Sequence, residues 1–351
     1  MDSGNEVIWL SACRACSKEK HLTHTLPSGE TVTILTAIPA DGTSYKAISH
    51  VWGEVSAIGV RCRGCNAESQ VRLRGVGTFH AIMNIAGASS TIWVDNLSID
   101  QEDSGDVATQ VAAMGQIYSN ATTVSVLLPK EDLQALGLLT GLVGYASFLL
   151  DRRKHFEGEG HVNNKVLSEI SATIKRFFAT VRTLAEVTEK SKYWSRAWTF
   201  QEWALARDIE ISLDGHKQPV LRNVKSRVIE AAILVTDYKL RLGQYSDFDV
   251  GFSRGLAPSV LDNVKKLFPS QERFLAEDEK DQAQVRLQSN LPSYGTDQVL
   301  GVRLKPTPRT AEEAFRARLT AMLEAFNGGA TRHATFEADK ICCWASMCNV
   351  E

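Results

Sequence analysis

Residues 91–129, TIWVDNLSIDQEDSGDVATQVAAMGQIYSNATTVSVLLP, decide how the rest of the chain is read. Residues 91–95 make a short apolar run, which predicts a strand buried on both faces. A polar loop follows, and then Val107, Val111, Met114 and Tyr118 recur at helical spacing, predicting an amphipathic helix over 106–118. Residues 123–128 are β-branched and apolar, the composition of a central strand. Strand, helix and strand in this order build a parallel sheet, because the crossover must bring the chain back to the same edge before the next strand begins.

The alternation continues on both sides. Residues 31–37 (TVTILTA) and 45–49 predict strands with Asp41-Gly42 as the turn between them. A short strand is predicted at 70–74, and a helix over 78–88 with Phe79, Ile82, Met83 and Ile85 on one face. Residues 208–213 (DIEISL) predict another strand, directly after a Trp-rich helix at 193–207. Between these, strand character is lost: 133–150 and 162–190 read as helices joined by a loop at 155–160, a helical insertion over 130–192. From 218 the chain reads as helical again, over 220–242, 257–268 and 310–326, with polar segments at 244–253 and 278–295. The expected organisation is an α/β domain over 1–217 and a helical region over 218–351.

With 351 residues, 44% of them hydrophobic, the chain can build a sizeable core. A net charge of -2 gives no electrostatic footprint for nucleic acid or an anionic membrane. The sequence suggests no membrane span, and the start, MDSGNEVIWLSACRAC, lacks the basic stretch and apolar core of a signal peptide. A soluble, cytoplasmic protein is expected. G-x-S-x-G, H-E-x-x-H and P-loop motifs are missing from the sequence, and Gly75-Val-Gly77, with His80 at the sixth position of a dinucleotide fingerprint, reads as a turn.

The cysteines sort by spacing. Cys13 and Cys16 form one C-x-x-C (CRAC), and Cys62 and Cys65 form another (CRGC). In a reducing compartment four such thiolates suit the closed tetrahedral shell of structural Zn²⁺ better than they suit disulfides. They predict a zinc knuckle within 10–70, with His21 and His24 as ordinary surface histidines. Cys342, Cys343 and Cys348 lie in an apolar run, KICCWASMCNV, and read as core.

Three blocks carry the polar residues of interest. Residues 45–54, YKAISHVWGE, run a strand into a loop bearing Ser49, His50, Trp52, Gly53 and Glu54. The second block supplies Asp95, Asp100 and Gln101, and residues 193–207, YWSRAWTFQEWALAR, supply Arg196, Trp198 and Glu202. Together they resemble the fungal heterokaryon-incompatibility (HET) domain, whose pattern is roughly Y-x-A-L-S-Y/H-x-W-G, W-I-D-x-x-C-I-N-Q and W-x-R-x-W-x-x-Q-E. Tyr45, Ala47, Ser49, His50, Trp52 and Gly53 match the first element, Trp93, Asp95, Ile99 and Gln101 the second, and Trp194, Arg196, Trp198, Gln201 and Glu202 the third. Ser98 stands where the family usually has Cys, which argues against a cysteine nucleophile there, and Asp100 stands where it usually has Asn. Residues 332–350 resemble a segment that follows the domain in many fungal proteins, so the full protein is expected to be longer.

The blocks are also distantly similar to the TIR domain, in which a late helix carries W-x-x-x-E; Trp198 and Glu202 fit that spacing, one turn apart. The resemblance implies a TIR-like, flavodoxin-like α/β fold, a mostly parallel sheet flanked by helices, and a role in non-self recognition and programmed cell death. Catalytic TIR domains cleave NAD at the nicotinamide–ribose bond with this glutamate, which makes Glu202 the candidate catalytic residue. In an open parallel sheet, ligands bind beyond the carboxyl ends of the strands. Ser49, His50, Trp52, Gly53, Asp95, Asp100, Gln101, Arg196 and Trp198 are therefore the candidate substrate-binding set. Trp52 or Trp198 can stack on a ring, and Arg196 can pair with the pyrophosphate. Plainer readings stand beside these. Trp93 and Trp194 suit the core, Arg196 paired with Asp95 or Asp100 would stitch a helix to the sheet, and His50 suits a structural hydrogen bond. A non-enzymatic adaptor that self-associates, or binds another cell-death signalling protein, needs no catalysis at all.

Overall fold

The computed structural model describes residues 7–17, 21–52, 56–156, 164–213 and 221–242, together with Val264 and Leu267. In chain order the strands are β1 (Ile8–Leu10), β2 (Leu22–Thr25), β3 (Thr31–Ile34), β4 (Lys46–His50), β5 (Ser56–Cys62), β6 (Glu68–Leu73), β7 (Thr91–Trp93), β8 (Thr123–Leu128) and β9 (Ile209–Leu213). The helices are α1 (Val76–Ala86), α2 (Asp95–Ser98), α3 (Ser104–Ala112), α4 (Met114–Asn120), α5 (Leu133–Asp151), α6 (Arg153–Phe156), α7 (Asn164–Thr188), α8 (Ala197–Leu205) and α9 (Val224–Leu242).

Six strands form one mixed sheet in the order β2-β3-β7-β4-β8-β9, all parallel except the β2 edge. Counted from β4, the chain visits its parallel strands in the spatial order second, first, third, fourth. It runs outward to β7, crosses back over β4 to β8, and continues to β9. The direction reverses between β4 and β8, so a topological switch point lies beyond their carboxyl ends. A second sheet, β1-β5-β6, pairs β1 parallel and β6 antiparallel to β5.

Alternation along the strands separates two cores. Ala47, Trp93, Val124, Val126 and Ile211 face one side and pack with α4, α5, α7, α8 and α9. Ile34, Ile48, Ile92 and Leu127 face the other and pack with α1 and the inner residues Ile8, Ile58, Val60 and Leu73 of the small sheet. Both cover the sheet, which is why β8 reads as a nearly unbroken apolar run. Its one interior polar residue, Ser125, donates to Glu210 on β9, whose carboxylate also holds Lys46 of β4 at 3.1 Å. This polar contact spans three adjacent strands.

The predicted strands and helices occur with shifted ends, and the Asp41-Gly42 turn is present, with Gly42 at a left-handed φ of 81°. Three differences have physical causes. The helix expected over 106–118 is broken at Ala113 into α3 and α4, which re-aims Met114, Ile117 and Tyr118 into the core while Gln110 turns inward to Trp93. Strands β1, β2 and β5 were not expected: the first two, at three and four residues, hold too few to show a period, and β5, at seven residues, buries only Ile58, Val60 and Cys62 on one face. The expectation that no apolar run reaches membrane length also needs correction, because residues Lys130–Asp151 are long and apolar enough to cross a membrane. Here Leu139, Leu142, Ala146 and Leu149 are fully buried in the core that α5 shares with α7 and α9. The region between β8 and α8 is helical as expected, α9 matches the helix expected at 220–242, and the helices expected at 257–268 and 310–326 fall, apart from Val264 and Leu267, outside the described residues.

Candidate functional site

β4 delivers two polar side chains to the carboxyl edge, Ser49 on the α8 side and His50 on the α1 side. Glu202 reaches the same place from the second turn of α8. Its carboxylate accepts a hydrogen bond from Ser49 Oγ, and the Tyr193 hydroxyl lies 2.5 Å from that same oxygen. Ser49 has one proton to give; with it directed at Glu202, Tyr193 is the donor in the second bond. Ser49 is 0% and Glu202 3% exposed, so this contact is dry.

Asp95 enters from the end of β7 as the first residue of α2. Its Oδ2 accepts from Trp52 Nε1 at 2.6 Å, and Oδ1 accepts from the Asn96 N–H at 2.7 Å and lies 3.5 Å from His50 Nε2. The result is two carboxylates within electrostatic reach in a low-dielectric setting. Burial pushes the Glu202 carboxyl up, the Asp95 charge adds to this, and Ser49, Arg196 and His50 offset it only in part, leaving it at about 7. Burial works against the His50 imidazolium, but the hydrogen bond and charge of Asp95 and the charge of Glu202 outweigh it, and its pKa is raised. Tyr118 OH, buried nearby, is held far above its ordinary value by burial and by both carboxylates. Near neutral pH such a site can hold an ionised carboxylate, an imidazolium and hydroxyl donors together.

The crevice at the switch point is lined by His50, Val51, Arg74, Thr78, Leu127 and Leu128 and has room of about 10 Å³, the space of one water. A larger surface cavity of about 270 Å³ lies at the opposite, amino-terminal edge, among Asp41, Asn120 and Arg207, away from these carboxylates.

Of the residues singled out from sequence, Ser49, His50, Trp52, Asp95 and Glu202 come together, and the Arg196 charge acts on Glu202 from the start of α8. Trp198 is half-buried against the core beneath α8. Asp100 is turned to Arg14, at 3.4 Å, and not to Arg196, while Gln101 sits half-buried on the turn that follows. Gly53 and Glu54 lie outside the described residues. Trp93 and Trp194 are core, at 0% and 4% exposure. Ser98, in the place of the family's Cys, is wholly buried and its Oγ accepts the Val94 N–H at 2.9 Å, so its hydroxyl closes the α2 turn. Tyr193, Tyr118 and Arg14 were missed. The first two carried a usable signal, since a phenol in an otherwise apolar segment needs a partner.

Residues 45–202 match the family model described as Heterokaryon incompatibility protein (HET). The chain carries a HET domain. The matched span begins at Tyr45, shortly before Ser49, and ends on Glu202, so residues near its two ends meet in one hydrogen bond. No curated protein and no solved structure matches the chain.

Outside the matched span on one side and within it on the other, Cys13, Cys16, Cys62 and Cys65 place their sulfurs within 4.8 Å of one another. Cys13 and Cys65 are 3.5 Å apart, Cys16 and Cys62 3.5 Å, and Cys13 and Cys16 3.8 Å. A tetrahedron of Zn–S bonds about 2.3 Å long has sulfur–sulfur edges of about 3.8 Å, so the donor set fits a metal of that kind. Gly64 leaves space for this closeness, since a Cβ there would meet Ser11 O at 3.1 Å and Cys16 Sγ at 3.3 Å. His24 is not a plain surface residue: it is half-buried, edge-on to Phe79, and its Nδ1 is bonded to Trp9 O.

Proposed function

We propose that this HET domain is a TIR-like NAD glycohydrolase that acts in non-self recognition and programmed cell death, with Glu202 as its catalytic carboxylate. The supporting observation is the placement of Glu202: fully buried at the carboxyl edge beside the switch point, bonded to Ser49, with its pKa raised to about 7. Breaking the nicotinamide–ribose bond develops positive charge on the ribose, which an adjacent carboxylate stabilises while accepting from its hydroxyls. Nicotinamide leaves as a neutral base, so one carboxylate suffices, and water completes the hydrolysis. Ser49 and Tyr193 hold the carboxylate in place, Trp52 or Trp198 offers a ring to stack on, and Arg196 offers a cation for the pyrophosphate.

The crevice beside the site, which His50 lines and Glu202 does not, has room for about one water and does not admit a dinucleotide. In this reading the site opens only when copies of the domain, or domain and partner, associate in the cytoplasm, and the free chain is silent. The closed crevice equally favours a second reading, an adaptor in which the Ser49–Glu202 contact is a polar core and self-association alone passes the signal. The four cysteines are assigned to a structural Zn²⁺, which would tie the knuckle together. The deciding assay is NAD consumption by concentrated, assembled protein alongside Glu202→Gln, with folding checked by circular dichroism. Turnover that vanishes in the variant supports the enzyme, and no turnover in either protein supports the adaptor.

A further inference from the structure

Arg14 lies between the two cysteines of the first C-x-x-C, yet its side chain points away from the knuckle and into the loop that follows β7. Its Nη2 donates to Ser98 O at 2.7 Å and Leu97 O at 3.4 Å, and its Nη1 pairs with Asp100 at 3.4 Å and Asp106 at 3.6 Å. These acceptors are themselves joined: the Asp100 N–H donates to Asp106 Oδ2 at 2.6 Å, and Gln110 Nε2 donates to Ser98 O and to Asp106. Ser98 closes the one-turn α2 through Val94, and Asp95, the first residue of that turn, holds Trp52 and lies against His50. A single arginine therefore connects the four-cysteine cluster to the loop that carries the Asp95 side of the site.

We propose that Arg14 is a positioning residue for this site. With the four cysteines closed on a metal ion, the Cys13–Cys16 turn is fixed, Arg14 holds the 97–106 loop, and Asp95 keeps Trp52 and His50 in register with Glu202. When the cluster opens, by loss of the ion or oxidation of the thiols to disulfides by a peroxide, Arg14 loses its anchor and the loop loosens. The knuckle is then part of the site's architecture, and metal occupancy a control upon it. The inference rests on the zinc assignment and on the Glu202 site, but its test reads neither NAD turnover nor the identity of the substrate.

The experiment is hydrogen exchange followed by mass spectrometry on the full chain loaded with zinc, on the same protein stripped by chelator, and on Arg14→Ala and Arg14→Lys, each with zinc content measured. Arg14→Ala is expected to keep its zinc and to exchange about tenfold faster at the amides of 96–106, with the strands β4 and β8 unchanged. Stripping the wild-type protein should accelerate the same amides, and stripping the variant should add little there. Arg14→Lys, which keeps the charge but not the fork, should fall between. Wild-type exchange at 96–106 in zinc-loaded Arg14→Ala overturns the proposal, whatever stripping does to the rest of the chain. So does acceleration on stripping that stays confined to 8–17 and 56–73. A zinc-free purified chain that protects 96–106 fully also overturns it, and by its metal content separates this failure from that of the NADase reading.

Discussion

Replacing Glu202 by Gln should stabilise the protein above neutral pH, by an amount the burial of the carboxylate sets. Glutamine has the shape of the neutral acid and can still accept from Ser49. The folded-state pKa is raised from 4.5 to about 7, so the folded chain holds this proton more tightly than the unfolded one. The associated stability is fully present below 4.5 and is lost as pH rises through about 7. A difference near 2.5 units corresponds to about 3 kcal/mol, at 1.36 kcal/mol per unit. The variant and wild type should therefore have similar stability at pH 4.5 and differ by about 3 kcal/mol at pH 8.5, or roughly 6–12 °C in melting temperature for a cooperative unit of ordinary size. Urea denaturation at a series of pH values measures this directly. His50, whose pKa is also raised, titrates with the same sign, its contribution being lost as pH rises through its folded value; it remains in both proteins, but the part of its shift that comes from the Glu202 charge is absent from the variant, which offsets some of the gain. A variant less stable than wild type at pH 8.5 would refute the reasoning, because it would mean that Ser49, Arg196 and His50 more than repay the desolvation of the carboxylate.

Cys65→Ser should lower zinc content from about one per chain to near zero and destabilise the β1-β5-β6 sheet, read by elemental analysis and by proteolysis between 8 and 73. Lys225 is buried and donates to the carbonyls of Trp203, Ala204 and Ala206 at the end of α8, at 3.3, 2.8 and 2.7 Å. Lys225→Met removes the lysine donor from those carbonyls and should cost about 3 kcal/mol in urea denaturation; a loss under about 1 kcal/mol would show that these bonds add little to the hold on α8.

The parallel sheet was legible because its helices and strands alternate with clear periods, and α5, α7 and β8 are long or uniformly apolar enough to leave no rival reading. β1 and β2 were not, at three and four residues: β1 exists only through a partner strand, β5, far along the chain, and β2, although it pairs with the neighbouring β3, is too short to show a period. The Ser49, Asp95 and Glu202 side chains could be nominated from three separate blocks, because doubly wound sheets collect such residues at one edge. Their closure into a dry cluster could not be foreseen. It depends on Tyr193 and Tyr118, whose side chains look like ordinary core in sequence, and on the depth at which α8 settles. Arg14 was invisible for a different reason: its position inside a C-x-x-C directs attention to the cysteines on either side.

The contact of Lys46, Ser125 and Glu210 has a consequence for biosynthesis. Parallel neighbours have no hairpin to align them, and a slip of one residue would send every side chain of β4 to the wrong face. Lys46 and Ser125 leave the ribosome long before Glu210 does, the lysine by 164 positions. Until the carboxylate arrives, the nascent sheet holds a half-buried amine and a buried hydroxyl without their acceptor, so β4 and β8 can pair but lack this contact to fix their register. Final alignment therefore belongs to β9, which follows Glu202 by only a few residues, and the chain commits its register at almost the same moment as it completes its candidate site.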